Sequence, residues 1–295
     1  MSPNLVWIIG RSRTDNNTIW DTTRTAGRAL YTNLGNADED QGTGLTAFGS
    51  DGFSLGALND VNYSSATYVA FSWKESADAG MDIVSMTGTG SARTQAHSLS
   101  AVPEWIFVKE LDNAGSWYTY TAILGNTKAM FLNATNAVSA DSSGYWNDTT
   151  PTSSVFSLGT DGGVNQSSTD YIAYLWRSIQ GFSKVGQSYY GNGATSNYIH
   201  TGFKVGFLMV KRTDSTEGWF LIDATRNTSN PVKNFLRPNG TNAEDTGTVW
   251  CDFTANGFNW KASDGLQNAS GATYIYMAFA EAPFVNSNGV PCNAR

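Results

Sequence analysis

One six-residue block occurs three times in this chain. Tyr68-Val69-Ala70-Phe71-Ser72-Trp73 returns as Tyr171-Ile172-Ala173-Tyr174-Leu175-Trp176 and again as Tyr274-Ile275-Tyr276-Met277-Ala278-Phe279, so the copies start at a constant interval of 103 residues. Each follows a common lead-in: Val61-Asn62-Tyr63-Ser64, Val164-Asn165-Gln166-Ser167 and Gln267-Asn268-Ala269-Ser270. Farther upstream stand Gly52-Phe53-Ser54-Leu55-Gly56, Val155-Phe156-Ser157-Leu158-Gly159 and Gly257-Phe258-Asn259-Trp260. The openings align as Leu5-Val6-Trp7-Ile8-Ile9, Trp105-Ile106-Phe107-Val108-Lys109 and Phe207-Leu208-Met209-Val210-Lys211, with a tryptophan following in each copy at Trp20, Trp117 and Trp219. Independent blocks in one order at one period define a tandem array of a single structural unit.

The blocks are short, rich in Val, Ile, Tyr, Phe and Trp, and bounded by Gly, Asn, Asp and Ser, which is the signature of β-strands. Tyr118-Thr119-Tyr120-Thr121 and Ala129-Met130-Phe131-Leu132 add two more in the middle copy, and no window keeps a 3.6-residue apolar period. The expected fold is all-β, with three tandem antiparallel β-sandwiches of jelly-roll or lectin-like type, each about 100 residues long. The divisions fall at 1–80, 81–180 and 181–295, the last carrying a C-terminal tail. Units two and three each begin with an additional strand, near 81–88 and 182–189, for which unit one has no counterpart. A sandwich short of one strand exposes an unpaired edge. The tail from Val285 to Cys292, a neighbouring subunit or a preceding segment could cover it.

Charge narrows the partners. With 18 basic against 25 acidic residues the net charge is −7, the wrong sign for neutralising phosphates, so nucleic acid is not an expected partner. No apolar run approaches a membrane helix, and the N-terminus has neither the basic nor the apolar region of a signal peptide. Only 15% of residues are charged, and Asn, Ser, Thr and Gly fill the polar surface instead. Two cysteines, Cys251 and Cys292, are expected as free thiols, and the Asn-x-Ser/Thr triplets at Asn133 and Asn268 follow from composition.

Groups able to carry chemistry are few. The two histidines, His97 and His200, stand at matching places before the opening strands of units two and three, which reads as structural. Gly88-Thr89-Gly90 and Gly191-Asn192-Gly193 read as hairpin turns, since they lack the Lys-Ser/Thr of a phosphate loop. Acidic residues gather at Asp38-Glu39-Asp40 and at Glu244-Asp245, with Asp141 between them in the middle unit. Asp38, Asp40, Glu244 and Asp245 are weak calcium candidates beside the simpler reading of solvated loops. No acid–base pair, catalytic residue or cofactor motif can be named, so a non-enzymatic protein is expected. The chain has ten tryptophans and thirteen tyrosines, several in polar, loop-like surroundings. Tyr145, Trp146, Tyr189, Tyr190 and Trp250 are the candidates for binding or assembly, because aromatic faces among amides and hydroxyls suit sugar rings and subunit interfaces alike.

The phrases Pro3-Asn4-Leu5-Val6-Trp7-Ile8, Ser50-Asp51-Gly52-Phe53-Ser54-Leu55-Gly56, Pro151-Thr152-Ser153-Ser154-Val155-Phe156-Ser157-Leu158-Gly159 and Tyr274-Ile275-Tyr276-Met277-Ala278-Phe279-Ala280-Glu281-Ala282-Pro283-Phe284 resemble a repeat module of virion structural proteins, including tail fibres, of marine bacteriophages and cyanophages. The resemblance spans residues 3–284. It implies a phage particle component built of lectin-like sandwiches, assembled in the host cytoplasm and placed on the tail rather than the head, as a homotrimer among other virion proteins, with a host surface glycan as ligand. Capsid decoration or a head fibre is the alternative, and a free lectin or glycan-degrading tail spike the second.

Overall fold

The computed structural model describes residues 1–140, 143–285 and 291–293, with 283–285 and 291–293 by backbone alone. The chain is nearly all β, with 41% strand and 3% helix in several antiparallel sheets. The first copy runs β1 (Leu5–Gly10), β2 (Thr18–Asp21), β3 (Arg28–Tyr31), β4 (Glu39–Asp40), β5 (Leu45–Phe48), β6 (Phe53–Leu55), α1 (Asn59–Asn62) and β7 (Tyr68–Trp73). The second runs β8 (Met81–Thr87), β9 (Arg93–Ala96), β10 (Trp105–Glu110), β11 (Tyr118–Thr121), β12 (Lys128–Phe131), β13 (Ser139–Ala140), β14 (Val155–Leu158), α2 (Gly162–Asn165) and β15 (Asp170–Trp176). The third has β16 (Ser183–Tyr190), β17 (Asn197–His200), β18 (Val205–Arg212), β19 (Trp219–Asp223), β20 (Cys251–Thr254), β21 (Gly257–Trp260) and β22 (Thr273–Ala280), followed by β23 (Pro283–Val285) and β24 (Pro291–Asn293).

The main sheets repeat one strand order. They run β4-β3-β2-β1-β7, then β13-β12-β11-β10-β15-β8, then β19-β18-β22-β16. A smaller second sheet, β5-β6, β9-β14 or β20-β21-β17, lies over each. Between the layers sits one apolar cluster per copy. Val6, Ile8, Trp20 and Leu45 anchor the first, Ile106, Val108, Phe156 and Leu158 the second, and Leu208, Phe220, Phe258 and Trp260 the third. The opening strands β1 and β10 are buried at every position, so their apolar runs are continuous rather than alternating.

The chain divides into two compact units. One comprises Met1–Ala134, Ser139–Trp176 and Pro238–Ala243; the other comprises Thr135–Val138, Arg177–Arg237 and Glu244–Arg295. Within the first unit, copies one and two are joined through aromatic side chains. Trp73 meets Trp176 edge-on at 6.2 Å, and the Trp117 indole N–H donates to the Tyr31 carbonyl at 2.9 Å.

Register corrects two of the sequence alignments. Leu5 pairs with Asp21, Trp105 with Thr121 and Phe207 with Asp223, so Trp20 matches Tyr120 and Ile222. The residue equivalent to Trp117 and Trp219 is Asn17. Its amide still donates, to the carbonyls of Pro238 and Gly240, as the Trp117 indole does to Tyr31. The histidines are likewise offset. Phe156 pairs with Gln95 and Phe258 with Ile199, so His200 matches Ala96, one place from His97. A slip of one residue turns a strand side chain to the opposite face.

The additional strands of copies two and three are present, each as the first arm of a hairpin: β8 pairs with β15 and β9 with β14, while β16 pairs with β22 and β17 with β21. In copy one, β7 ends its sheet and β6 pairs only with β5 among the described residues. The tail proposed to cover that edge lies partly outside the described residues, at 286–290, while β23 and β24 pair with each other.

Candidate functional site

The five aromatic candidates separate by burial. Trp146, Tyr189 and Trp250 are core residues, with 2%, 8% and 6% of their surface exposed, which corrects their placement on the surface. Trp146 is carried inward by a turn in which Ser143, Asn147 and Asp148 have positive φ. Its indole donates to the Lys128 carbonyl at 3.0 Å, and its ring lies 5.7 Å from Tyr120. Trp250 packs edge-on against Phe220 and Phe235. Tyr189 stacks on Tyr274 at 5.0 Å and donates its hydroxyl to the Gln267 carbonyl at 2.7 Å. Tyr145 is half-buried against Tyr118. Tyr190 alone points out, 75% exposed, because strand alternation sends it to the face opposite Tyr189.

The acidic clusters are held by arginine. Arg24 donates to Asp21 at 2.6 Å and to Asp38 at 2.8 Å, and Arg28 reaches the other Asp38 oxygen at 2.7 Å. Both oxygens of Asp38 thus face guanidinium, which corrects its reading as a calcium ligand. The Asp21 carboxylate also accepts from the Tyr174 hydroxyl at 2.7 Å. The third copy repeats the clamp, with Arg226 between Asp223 and Glu244, which likewise removes Glu244 as a free ligand. Asp245 accepts from the Gly247 N–H at 3.2 Å, and Asp40 is exposed at the end of β4. Asp141 lies outside the described residues, among which no cluster of three or more His, Cys, Asp or Glu could hold a metal ion. In the middle copy the clamp positions are Thr121, Leu124 and Val138.

One acidic pair escaped the sequence reading. The bridge between Ser76 and Met81 closes a turn that brings Glu75 to Asp82, beside a groove of about 320 Å³ shared with His97 and Ser98. Asp82 is buried and accepts from the N–H groups of Ser98 and Ile83 at 2.5 and 3.1 Å. Desolvation and the hydrogen bond with Asp82 push the Glu75 carboxyl up. His97 accepts from the Leu99 N–H at Nδ1, and its Nε2 lies 3.1 Å from the Thr152 carbonyl. The imidazole is therefore the Nε2–H tautomer, with both nitrogens engaged in holding loops. This groove sets two carboxyl groups beside an imidazole.

Among the described residues the exposed aromatics are Tyr190, Tyr198 and Tyr63, the last 43% exposed with the Arg13 guanidinium over its ring. Tyr190 on β16 faces out of the main sheet, and Tyr198 on β17, 52% exposed, out of the smaller one, where Asn259 is its strand partner. The Asn197 amide donates to the Tyr190 carbonyl at 2.9 Å, fixing that strand end. Cys251 is a free, buried thiol whose pKa burial pushes up, and the Cys292 side chain lies outside the described residues. Among the described residues no helix is long and apolar enough to cross a membrane.

No curated protein matches the chain, and no solved structure does. A family described as a domain of unknown function, DUF7483, matches residues 1–283. Since that match takes in all three copies of the repeated block, the chain belongs to the DUF7483 family.

Proposed function

We propose that this chain is a non-enzymatic structural protein of a bacteriophage particle, a tail fibre or receptor-binding component that contacts a host surface glycan. The observation that carries the contact is the exposed Tyr190 at the end of β16, beside the Asn197 amide. An aromatic face offers apolar contact to the CH side of a sugar, and amides serve its hydroxyl rim. The hairpin is anchored from below by Tyr189, so the contact surface costs little ordering entropy on binding. Buried arginine clamps and packed aromatic cores support the rigidity a particle component needs outside a cell. The virion assignment itself rests on the resemblance of the sequence blocks, and homotrimeric assembly with other virion proteins goes with it.

The test uses the purified chain, host-cell polysaccharide and labelled particles. The expected result is polysaccharide binding weakened at least tenfold by Y190A, without cleavage of the polymer, and antibody label on the particle tail. Label on the head shell would make the protein a decoration, and unlabelled particles or cleaved polymer would overturn the reading.

A further inference from the structure

The first copy contains a finished receptor for a β-hairpin that residues 1–80 do not supply. We infer that this edge binds a β-hairpin from outside residues 1–80, of the kind that copies two and three hold, which adds one strand to β7 and one to β6. The inference is independent of the glycan contact and of the particle assignment.

Copies two and three show the occupied state. There the hairpins β8–β9 and β16–β17 each place a first strand of seven or eight residues on the main sheet and a second of four on the smaller one. Between the strands lies a Gly-x-Gly turn, Gly88-Thr89-Gly90 or Gly191-Asn192-Gly193. A buried asparagine holds that turn. Asn165 Oδ1 accepts from the Thr89 N–H at 2.9 Å, and its carbonyl accepts from the Gly90 N–H at 2.8 Å. Its amide donates to the carbonyls of Ser91 and Gly159. Asn268 does the same in copy three, accepting from the N–H of Asn192 and donating to the Ala194 carbonyl. Behind it the N–H of Ser168 or Gly271 donates to the first glycine's carbonyl, at 3.0 or 2.9 Å.

Copy one keeps each of these groups. Asn62 donates to the Gly56 carbonyl at 2.7 Å, as Asn165 does to Gly159, but is exposed where Asn165 and Asn268 are fully buried. Ser65 holds φ +66°, matching +60° at Ser168 and +72° at Gly271, so the backbone N–H that meets the hairpin is already presented. The tyrosine that braces the loop is also kept: Tyr68 accepts from the Tyr63 N–H and donates to the Asn59 carbonyl, as Tyr274 does with Ala269 and Gly265. A left-handed serine is uncommon, and a turn matched to those of two occupied copies is a preformed site.

The apolar half of the receptor is equally complete and uncovered. Leu55 is 36% exposed, whereas its equivalents Leu158 and Trp260 are both at 0%. Ala70 is exposed and Ser72 half-buried, against full burial of Ala173 and Leu175. The ladder parity shows which backbone groups are available. Asn4 donates to the Trp73 carbonyl and Arg11 to the Thr67 carbonyl, so odd-numbered residues face β1, and Tyr68, Ala70 and Ser72 present theirs outward.

These features define the partner's chemistry. Its first strand carries apolar residues at alternate positions, like Met86 over the copy-two core, and its turn begins with glycine. A Cβ at Gly88 or Gly191 would lie 2.1 Å from the carbonyl oxygen of Gln166 or Ala269, so any larger residue is excluded there. The partner binds by strand addition, with main-chain hydrogen bonds giving affinity and side-chain pockets giving choice.

The experiment titrates the full-length chain with synthetic peptides spanning 81–97 and 183–200, using calorimetry, with sedimentation to fix the oligomeric state. Expected is one peptide bound per chain, weakened at least tenfold by N62A and abolished by L55E. Both substitutions lie on exposed side chains, and circular dichroism of each variant checks folding. A G88A peptide, tested on the wild-type chain, is expected not to bind. Absence of binding by either hairpin peptide, equal binding of the G88A peptide, or self-association that blocks the site in the chain alone would overturn the inference.

Discussion

Arg24→Leu isolates the cost of the buried clamp. In the folded chain Arg24 and Asp21 have side chains 4% and 0% exposed, and Asp38 is 9% exposed. Removing the guanidinium leaves the buried Asp21 without its counter-charge, Asp38 with Arg28 alone, and the carbonyls of Ile19 and Arg28 without its N–H groups. Breaking one partner of a buried pair costs about 3–5 kcal/mol. For a unit of this size that is roughly 6–20 °C in melting temperature, at about 2–4 °C per kcal/mol. The middle copy supplies the control, because Thr121, Leu124 and Val138 occupy the clamp positions there. The triple variant D21T/R24L/D38V removes the charges together, and it is expected to recover most of the loss, since a buried ionic cluster replaced whole by apolar groups is often neutral. Urea and thermal unfolding followed by circular dichroism measure both variants. A single substitution costing under about 1 kcal/mol, or a triple variant less stable than the single, would refute the assignment of a structural clamp.

Two further outcomes follow from equivalent positions. Leu158→Ala empties a fully buried site and is expected to cost about 2–5 kcal/mol, whereas Leu55→Ala, at the open edge, costs under about 1 kcal/mol; equal losses in denaturant titrations would mean the edge is covered. Lys109 and Lys211 are buried at matching positions, and desolvation lowers each from 10.5 to about 8. Between those values the unfolded chain holds more protons, so stability rises with pH from about 8. It falls again above about 10, where tyrosines held up to about 12, such as Tyr120 and Tyr276, ionise first in the unfolded chain. The rise is on the order of 2 kcal/mol per lysine between pH 8 and 10, and K109M removes the first unit's share. An unchanged slope in K109M would contradict this.

The strands and their interval were legible because each block is a strand bounded by turn residues, and in β1 and β10 burial on both faces keeps the apolar run unbroken. Register was less legible. Trp20 looks like Trp117 in sequence, yet Asn17 fills that position, because the site needs a side-chain N–H donor and amide or indole both supply one. The adjacent pair Tyr189-Tyr190 reads as one aromatic patch until strand alternation separates the two rings. Trp146 reads as a loop residue because positive φ at Ser143, Asn147 and Asp148 cannot be seen in a Ser-, Gly- and Asn-rich stretch. The acidic clusters meet arginines set by three-residue spacing, Asp21 to Arg24 and Asp223 to Arg226, a pattern legible in the sequence. The missing strand of copy one was visible from the spacing, but its nature as a whole hairpin, with a waiting asparagine, needed the second sheet.

Residue-resolved amide hydrogen exchange on the chain alone tests the open edge most directly. The outward amides of Tyr68, Ala70 and Ser72 are predicted to exchange rapidly, while their equivalents at Tyr171, Ala173 and Leu175, paired with β8, stay protected by orders of magnitude. Equal protection at both sets would show the first copy's edge already paired, and would contradict an incomplete sandwich.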